Sequence, residues 1–238
     1  MNTRVMCAVM ASAVAGLGLA QALANPGFTG SYYGDATNDI GSSLGNGGGT
    51  LDLVGMEVSN TATDIVFKLT VNGSLSIVDW GKFMVGIATN NGSGTSTGNG
   101  WGRPINMSAN GGMTHWVGSW VDGSGGAELR SNASSWGLLG ATYNGNFGGF
   151  SFSGSDITWT VSMAALGLNV GDSFTFDAYS SGGGGGDGAI DALSSSSPSV
   201  ANWGDTFTTT SGFSYTIVPA PGALALLAVA GLGRRARK

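Results

Sequence analysis

The chain has 238 residues, enough for one domain of ordinary size, and only 10% of them are charged, against roughly 25% in a typical globular domain. Between residues 25 and 217, four basic residues face fourteen acidic ones, and that balance disfavours nucleic-acid binding, which needs clustered Lys and Arg. Glycine occupies 44 positions, but 42% hydrophobic residues and seven tryptophans argue against a disordered chain, which would be poor in aromatic residues.

The first 24 residues have the pattern of a secretory signal peptide. Arg4 supplies a positive start, residues 5–20 are apolar, and Ala22-Leu23-Ala24 is a small-residue cleavage site. The pattern predicts export, with the export machinery as a transient partner. Cys7 is the single cysteine and lies inside this leader, so the mature domain is expected to fold without a disulfide.

Residues 25–217 are predicted to form one all-β domain, because apolar and polar residues alternate with a period of two. In residues 64–72, for example, Ile65, Phe67, Leu69 and Val71 alternate with polar residues. Further strand candidates are residues 83–88, 113–121, 149–153, 157–163, 174–179 and 213–217. The only helix candidate is a short turn at residues 163–168. Gly, Asn, Ser and Asp clusters separate these segments, which predicts an antiparallel β-sandwich, jelly-roll-like, with one face of each sheet buried and the other wet.

Four tryptophans are candidate sugar contacts. Trp116 and Trp120 are four residues apart on one predicted strand and therefore project from the same face. Two such rings can stack on sugars, or they can pack in the core of the sandwich, where tryptophans are often buried. Trp101 and Trp203 lie among loop-forming residues, where an aromatic side chain serves recognition or covers the edge of the core.

A second group of candidates is acidic: Asp177, Asp187, Asp191 and Asp205, of which Asp187 follows a run of glycines. Calcium takes several carboxylate and carbonyl oxygens from such loops. The spacing is not that of an EF-hand, and the alternative is a solvated loop with solubilising acids. Calcium is the one cofactor that the sequence suggests.

Residues for catalysis are few, so no enzyme is predicted. His115 is the single histidine, and its place between Met113 and Val117 favours a histidine packed in or beside the core. Zinc normally recruits Cys and His ligands, no Gly-x-Ser-x-Gly motif is present, and the glycine runs lack the Lys-Ser or Lys-Thr of a phosphate-binding loop. A pair of carboxylates for glycoside hydrolysis remains an alternative among fourteen acids.

Residues 218–238 combine a proline motif, an apolar run at residues 222–233 and a basic end. The run of 12 residues predicts a short hydrophobic helix, which is shorter than the roughly 20 residues that span a bilayer, and the cations would stay on the cytoplasmic side. The tail resembles the sorting signals of PEP-CTERM surface proteins, which an exosortase-type membrane protease processes, although Ala220 stands where the namesake motif has Glu. A plain membrane anchor is the alternative. The residues that carry the resemblance are Val218, Pro219, Pro221, Gly222, Arg234, Arg235 and Arg237.

The central segments at residues 34–40, 51–60, 64–72, 79–87 and 171–177 resemble the β-sandwich sugar-binding modules of the DOMON and glucodextranase C-terminal kind. The resemblance implies a binding module in which bound calcium and aromatic platforms recur, without assigning ligands to single positions.

Taken together, these patterns predict an exported cell-surface or extracellular-matrix protein, transiently held at the inner membrane, that contacts polysaccharide without catalysis. A purely structural or adhesive surface protein and a secreted glycoside hydrolase are the alternatives.

Overall fold

The computed structural model describes residues 30–76, 79–90 and 94–219, so the predicted leader and all of the tail after Pro219 lie outside the described residues. In this part of the chain no helix has the length and apolar character that a membrane span requires. The strands are β1 (Gly30–Gly34), β2 (Leu53–Asn60), β3 (Asp64–Val71), β4 (Lys82–Thr89), β5 (Ile105–Met107), β6 (His115–Trp120), β7 (Gly126–Asn132), β8 (Trp136–Ala141), β9 (Gly149–Ser153), β10 (Asp156–Ser162), β11 (Ser173–Ser181), β12 (Asp191–Ala192), β13 (Phe207–Thr209) and β14 (Phe213–Thr216). Four one-turn 3-10 helices join them at Gly47–Gly49, Ala109–Gly111, Asp122–Ser124 and Thr142–Asn144.

Two antiparallel sheets contain most of these strands. The smaller sheet has the order β1-β2-β3-β10-β9, and the larger has the order β12-β11-β4-β6-β7-β8, with β14 also paired to β11. Strands β5 and β13 form a separate parallel pair. The all-β prediction is therefore confirmed, and the two packed sheets are consistent with a sandwich. Each predicted strand segment overlaps a strand, and residues 163–168 form a turn in which the N–H groups of Leu166 and Leu168 donate to the carbonyl of Met163.

The main core lies between the two sheets, where the inward residues of each strand meet. On β3 and β10 every second side chain points inward, and Phe67 and Trp159 are fully buried there. Phe67 packs against Phe174 and Phe176 of β11, with ring centroids 6.0 and 5.9 Å apart. These ring contacts hold the two sheets together. They form because the apolar residues alternate with polar ones along each strand and therefore all point into the core.

A second buried cluster covers the outer face of the larger sheet. Met84, Trp116 and Tyr179 project to that face and are fully buried, together with Ile105 and Met107 of β5. The prediction that one face of each sheet is wet is therefore wrong for this part of the larger sheet. The chain before β6 and the β5–β13 pair fold back over it and exclude water. The layer formed in this way positions the candidate site.

Candidate functional site

The candidate site begins with a platform on the outer face of β6. Trp116, Gly118 and Trp120 are two residues apart and therefore share that face. Gly118 leaves a space that the ring of Trp101 fills, since a Cβ atom at residue 118 would lie 2.4 Å from that ring. The Trp101 ring centroid is 6.3 Å from that of Trp116 and 6.4 Å from that of Trp120.

Hydrogen bonds to Glu128 fix the orientation of the Trp101 ring. The indole N–H donates to Glu128 Oε2 at 2.9 Å, and Arg130 Nε donates to the same oxygen at 2.8 Å. The hydroxyl of Tyr143 donates to Glu128 Oε1 at 2.9 Å. Burial disfavours ionisation of this carboxyl, but the three hydrogen bonds outweigh burial and hold the pKa of Glu128 below its ordinary value. The carboxylate therefore stays charged and keeps the indole in place.

A buried asparagine organises the turn that carries Trp101 and Arg103. Asn99 is almost fully buried, and its side-chain amide donates to the carbonyls of Arg103 and Ile105 at 2.8 and 2.9 Å. Its side-chain oxygen accepts from the backbone N–H groups of Trp101 and Arg103. One side chain thus satisfies four backbone groups, which defines the direction in which both neighbours project.

These elements enclose an open cleft of about 310 Å³, at the small end of the range for ligand pockets. We call it the aromatic cleft; its lining residues are Lys82, Trp101, Arg103, Trp120, Glu128 and Gly185. Two of the tryptophans predicted from sequence, Trp101 and Trp120, line it, and both are partly buried.

The other two predicted tryptophans lie elsewhere. Trp116 is fully buried beneath the cleft and stacks on Tyr179 with ring centroids 6.1 Å apart, so its ring has no surface for a ligand. Trp203 is partly buried and contacts Trp80, which is 46% exposed, with ring centroids 5.8 Å apart. The pair of Trp80 and Trp203 is a second aromatic surface that the prediction described only in part.

A separate group of three carboxylates, Asp35, Asp39 and Asp191, lies at the junction of the two sheets; we call it the acidic cluster. One carboxylate oxygen from each lies within 4.8 Å of the others, which is the spacing of oxygens that share a cation at about 2.4 Å. Asp35 follows β1 in the smaller sheet, and Asp191 begins β12 in the larger. The Leu53 backbone N–H of β2 donates to Asp191 Oδ2 at 2.7 Å across this junction.

Several oxygens of the acidic cluster have no partner within residues 30–76, 79–90 and 94–219. Asp35 Oδ2 and both side-chain oxygens of Asp39 are buried without a hydrogen bond. Burial, together with the charges of Asp191 and Asp39, raises the pKa of Asp35 to about 9. Burial is also the main cause that raises the pKa of Asp191 to about 7 and raises that of Asp39. Buried carboxylate oxygens that have no hydrogen-bond donor can instead coordinate a hard divalent cation.

A neighbouring acid holds the acidic cluster in shape. Asp52 is fully buried and accepts the backbone N–H of Asn38 at 3.1 and 3.0 Å and the Asn72 amide at 2.8 Å. Asn38 has a left-handed φ of 64°, a conformation that asparagine tolerates better than most residues. This contact places Asp39 close to Asp35.

Of the four acids predicted to hold calcium, only Asp191 belongs to the acidic cluster. Asp177 is fully buried, and its two oxygens accept from Ala178, Ser194 and Thr209, so internal donors satisfy it. Asp187 accepts the backbone N–H of its own glycine loop, from Gly184, at 2.8 Å. Asp205 accepts the backbone and side-chain N–H groups of Asn202 at 2.8 and 3.1 Å. These contacts give Asp177, Asp187 and Asp205 roles in loop geometry.

The histidine is buried, as its position between apolar residues indicated. His115 is 8% exposed, and its Nδ1 lies 3.0 Å from the hydroxyl oxygen of Thr114. Burial lowers the pKa of its imidazole to about 4. The side chain is therefore neutral at pH 7.

Three functional candidates were missed in the sequence: Arg103, Asp35 and Asp39. A signal existed for each, because Arg103 is two residues from Trp101 and the two acids are four apart in a turn-rich segment. Their partners, however, come from distant parts of the chain. Comparisons with protein families, with curated proteins and with solved structures found no match to this chain, so its family resemblances stay predictions.

Proposed function

We propose that the protein is an exported, non-catalytic β-sandwich that binds polysaccharide in the aromatic cleft. The observation that carries the proposal is the pair of partly exposed rings, Trp101 and Trp120, held 6.4 Å apart beside charged side chains. Sugar rings have apolar faces that stack on indoles and hydroxyls that bond to charged groups. Because Glu128 holds Trp101 before any ligand arrives, binding costs little side-chain entropy.

The localisation is part of the same proposal. We infer that residues 1–24 direct export, that the tail from Val218 is a sorting signal for an exosortase-type protease, and that the protein ends at the cell surface or in the extracellular matrix. Where the described chain ends, Asn60 bonds the backbone N–H and carbonyl of Val218 at 3.1 and 2.8 Å. The side chains of Val218 and Pro219 are exposed. The anchored backbone at the start of the tail supports a sorting motif that begins at the edge of the folded domain, and a jelly-roll-like sandwich is part of the same proposal.

We also propose that the acidic cluster binds calcium and that the ion has a structural role. The support is the set of buried, partnerless oxygens of Asp35 and Asp39 beside Asp191. An ion there would contact the segment after β1 and the start of β12 together, so it would join the two sheets. Calcium therefore remains the proposed cofactor, but Asp35 and Asp39 take the place of Asp177, Asp187 and Asp205 as its ligands beside Asp191.

The test of polysaccharide binding compares two tryptophan variants of the full-length chain in affinity electrophoresis through gels that contain neutral or acidic polysaccharides. Trp120→Ala removes one wall of the aromatic cleft and is expected to weaken retention by about 5- to 150-fold, since one stacking ring contributes roughly 1–3 kcal/mol. Trp80→Ala, at the second aromatic surface, is the matched control and should leave retention unchanged.

Two outcomes would contradict the proposal. Loss of retention in Trp80→Ala but not in Trp120→Ala would move the site to the second aromatic surface. A folded protein that no polysaccharide retards would support a purely structural surface protein.

A further inference from the structure

The basic residues of the domain gather at the aromatic cleft. Lys82 and Arg103 line it, and Arg130 contacts its Glu128 wall. Lys68 is the one other basic residue between residues 25 and 217, and it pairs with Asp156 on the smaller sheet at 3.0 Å. In a domain where acids outnumber bases, this placement brings three of the four basic residues to one opening.

The acids near the cleft neutralise two of its three cations. Lys82 Nζ lies 3.0 Å from Asp122 Oδ1, and Arg130 Nε lies 2.8 Å from Glu128 Oε2. Among the described residues, Arg103 has no carboxylate within the 4.0 Å of an ion pair. Arg103 therefore differs from the other two cations.

Arg103 is buried although its charge lacks a counter-ion. The residue is 6% exposed, and its hydrogen bonds within the described chain all come from Nη1, to Ser181 Oγ and to the carbonyls of Gly184 and Asp187. Its Nε is buried without a partner. Burial lowers the pKa of this guanidinium, and the charge of Asp187 opposes the effect.

These bonds leave the Nε–Nη2 edge of the guanidinium without an acceptor among the residues that the structure describes. That edge is a fork of two parallel N–H groups, which matches the two oxygens of a carboxylate. The guanidinium carbon lies 5.7 Å from the ring centroid of Trp101. A ligand that stacks on Trp101 therefore has its polar substituents beside the guanidinium.

We propose that the aromatic cleft selects acidic sugars of the uronic-acid class, and that Arg103 receives the carboxylate of the sugar. This inference rests on the proposed polysaccharide binding and names its substrate class. A carboxylate would supply the counter-charge that the buried guanidinium lacks, and Trp101 and Trp120 would contact the ring. Burial of Arg103 makes the bond strong, because few water molecules compete for it.

The experiment is calorimetric titration of the full-length chain with trigalacturonate and with its methyl ester. The two ligands share rings and linkages, and they differ at the carboxyl groups, which are charged in the acid and neutral methyl esters in the other ligand. The acid is expected to bind at least about tenfold more tightly, the factor for hydrogen bonds to a charged partner. Because this comparison uses the unaltered protein, it stands even if variants at residue 103 fold poorly.

Variants then assign the effect to one residue. Arg103→Lys keeps the charge but loses the fork, so it should lose most of the preference for the acid over the ester and bind the ester as before. Lys68→Gln removes a positive charge on the other sheet and should change neither affinity. If it weakens acid binding as much as Arg103→Lys does, diffuse charge explains the preference and the assignment to Arg103 is overturned.

The remaining outcomes separate the two proposals. Equal affinity for the acid and the ester would overturn acidic-sugar selection while polysaccharide binding stands. Binding of neither ligand, with no retention on the wider panel of polysaccharides, would overturn polysaccharide binding itself.

Discussion

The aromatic cleft and the acidic cluster differ in how many of their polar atoms have hydrogen-bond partners. Around the cleft, most polar atoms have partners, and Glu128 alone accepts three hydrogen bonds. In the acidic cluster, three carboxylate oxygens are buried and have none. The cleft is therefore organised before a ligand arrives, whereas the acidic cluster requires protons or a cation to complete it.

This difference predicts which property of the protein each ligand changes most. An ion at the acidic cluster would offset a large electrostatic cost inside the fold, so its main effect should be on stability. A sugar in the cleft contacts groups that are partly exposed or already bonded, with the Nε of Arg103 as the exception, so its main effect should be on affinity and selectivity. Perturbing each region separately tests this division.

The largest effect is expected from calcium itself. At a thousandfold excess over its dissociation constant, calcium should raise the free energy of unfolding by about 4 kcal/mol. For a chain of this size that corresponds to roughly 10 °C in Tm relative to chelator, measured by calorimetry. Magnesium should give a smaller shift, because it prefers a tighter octahedral shell and retains water.

Two asparagine variants locate the ion. Asp39→Asn removes a charge whose oxygens have no internal partner and should abolish most of the calcium-induced shift in Tm. Asp187→Asn, at an acid that caps its own loop, should retain the shift. The opposite pattern would return the site to the glycine loop, where the sequence analysis placed it.

The next effect is a dependence of stability on pH that calcium should weaken. The pKa of Asp35 is about 9 in the folded protein and near 3.9 in the unfolded chain. Between those values the folded state binds more protons, so the stability of the calcium-free protein should fall as pH rises. Calcium needs the ionised carboxylate, so the calcium-induced shift in Tm should grow between pH 7 and 9 and be accompanied by proton release.

Two controls assign the pH dependence to Asp35. The pH range excludes the titration of His115, and an asparagine variant removes the carboxyl itself. The pKa of His115 is lowered to about 4 by burial, and its unfolded value is near 6.5. Its contribution is therefore lost as pH falls from about 6.5 to about 4, and measurements above pH 7 avoid it. Asp35→Asn should make the calcium-free protein more stable than the wild type at pH 8, and a less stable variant would contradict the assigned pKa.

Local patterns predicted the strands because alternation and turn residues act over a few positions. The segment at residues 64–72 contains β3, and residues 149–153 coincide with β9. The same alternation correctly put Trp116 and Trp120 on one face. It gave no information on the layer formed by Ile105 and Met107, which buries one ring and leaves the other beside the cleft.

The acidic cluster was harder to predict because its members are far apart in the chain. Asp191 meets Asp35 and Asp39 only because β1 pairs with β2 while β12 pairs with β11 in the other sheet. Sequence spacing suggested Asp187 as a partner for Asp191, since they are four residues apart. The acids of the cluster lie together because the two sheets pack against each other, and the glycine loop before Asp187 has no part in this arrangement.

The smallest effect on stability, but a decisive one for the comparison, is expected from Gly118→Val. A side chain at this position would overlap the Trp101 ring, because a Cβ atom there lies 2.4 Å from it. The ring must move, so we expect loss of polysaccharide retention and a destabilisation of about 1–3 kcal/mol, typical of overpacking. Denaturant unfolding and affinity electrophoresis measure the two effects.

The calcium-induced shift in Tm should be unchanged, because Asp35, Asp39 and Asp191 share no hydrogen bond with the cleft residues, and independent sites have additive effects. A calcium shift that falls with sugar retention would show that the two regions are coupled through the larger sheet.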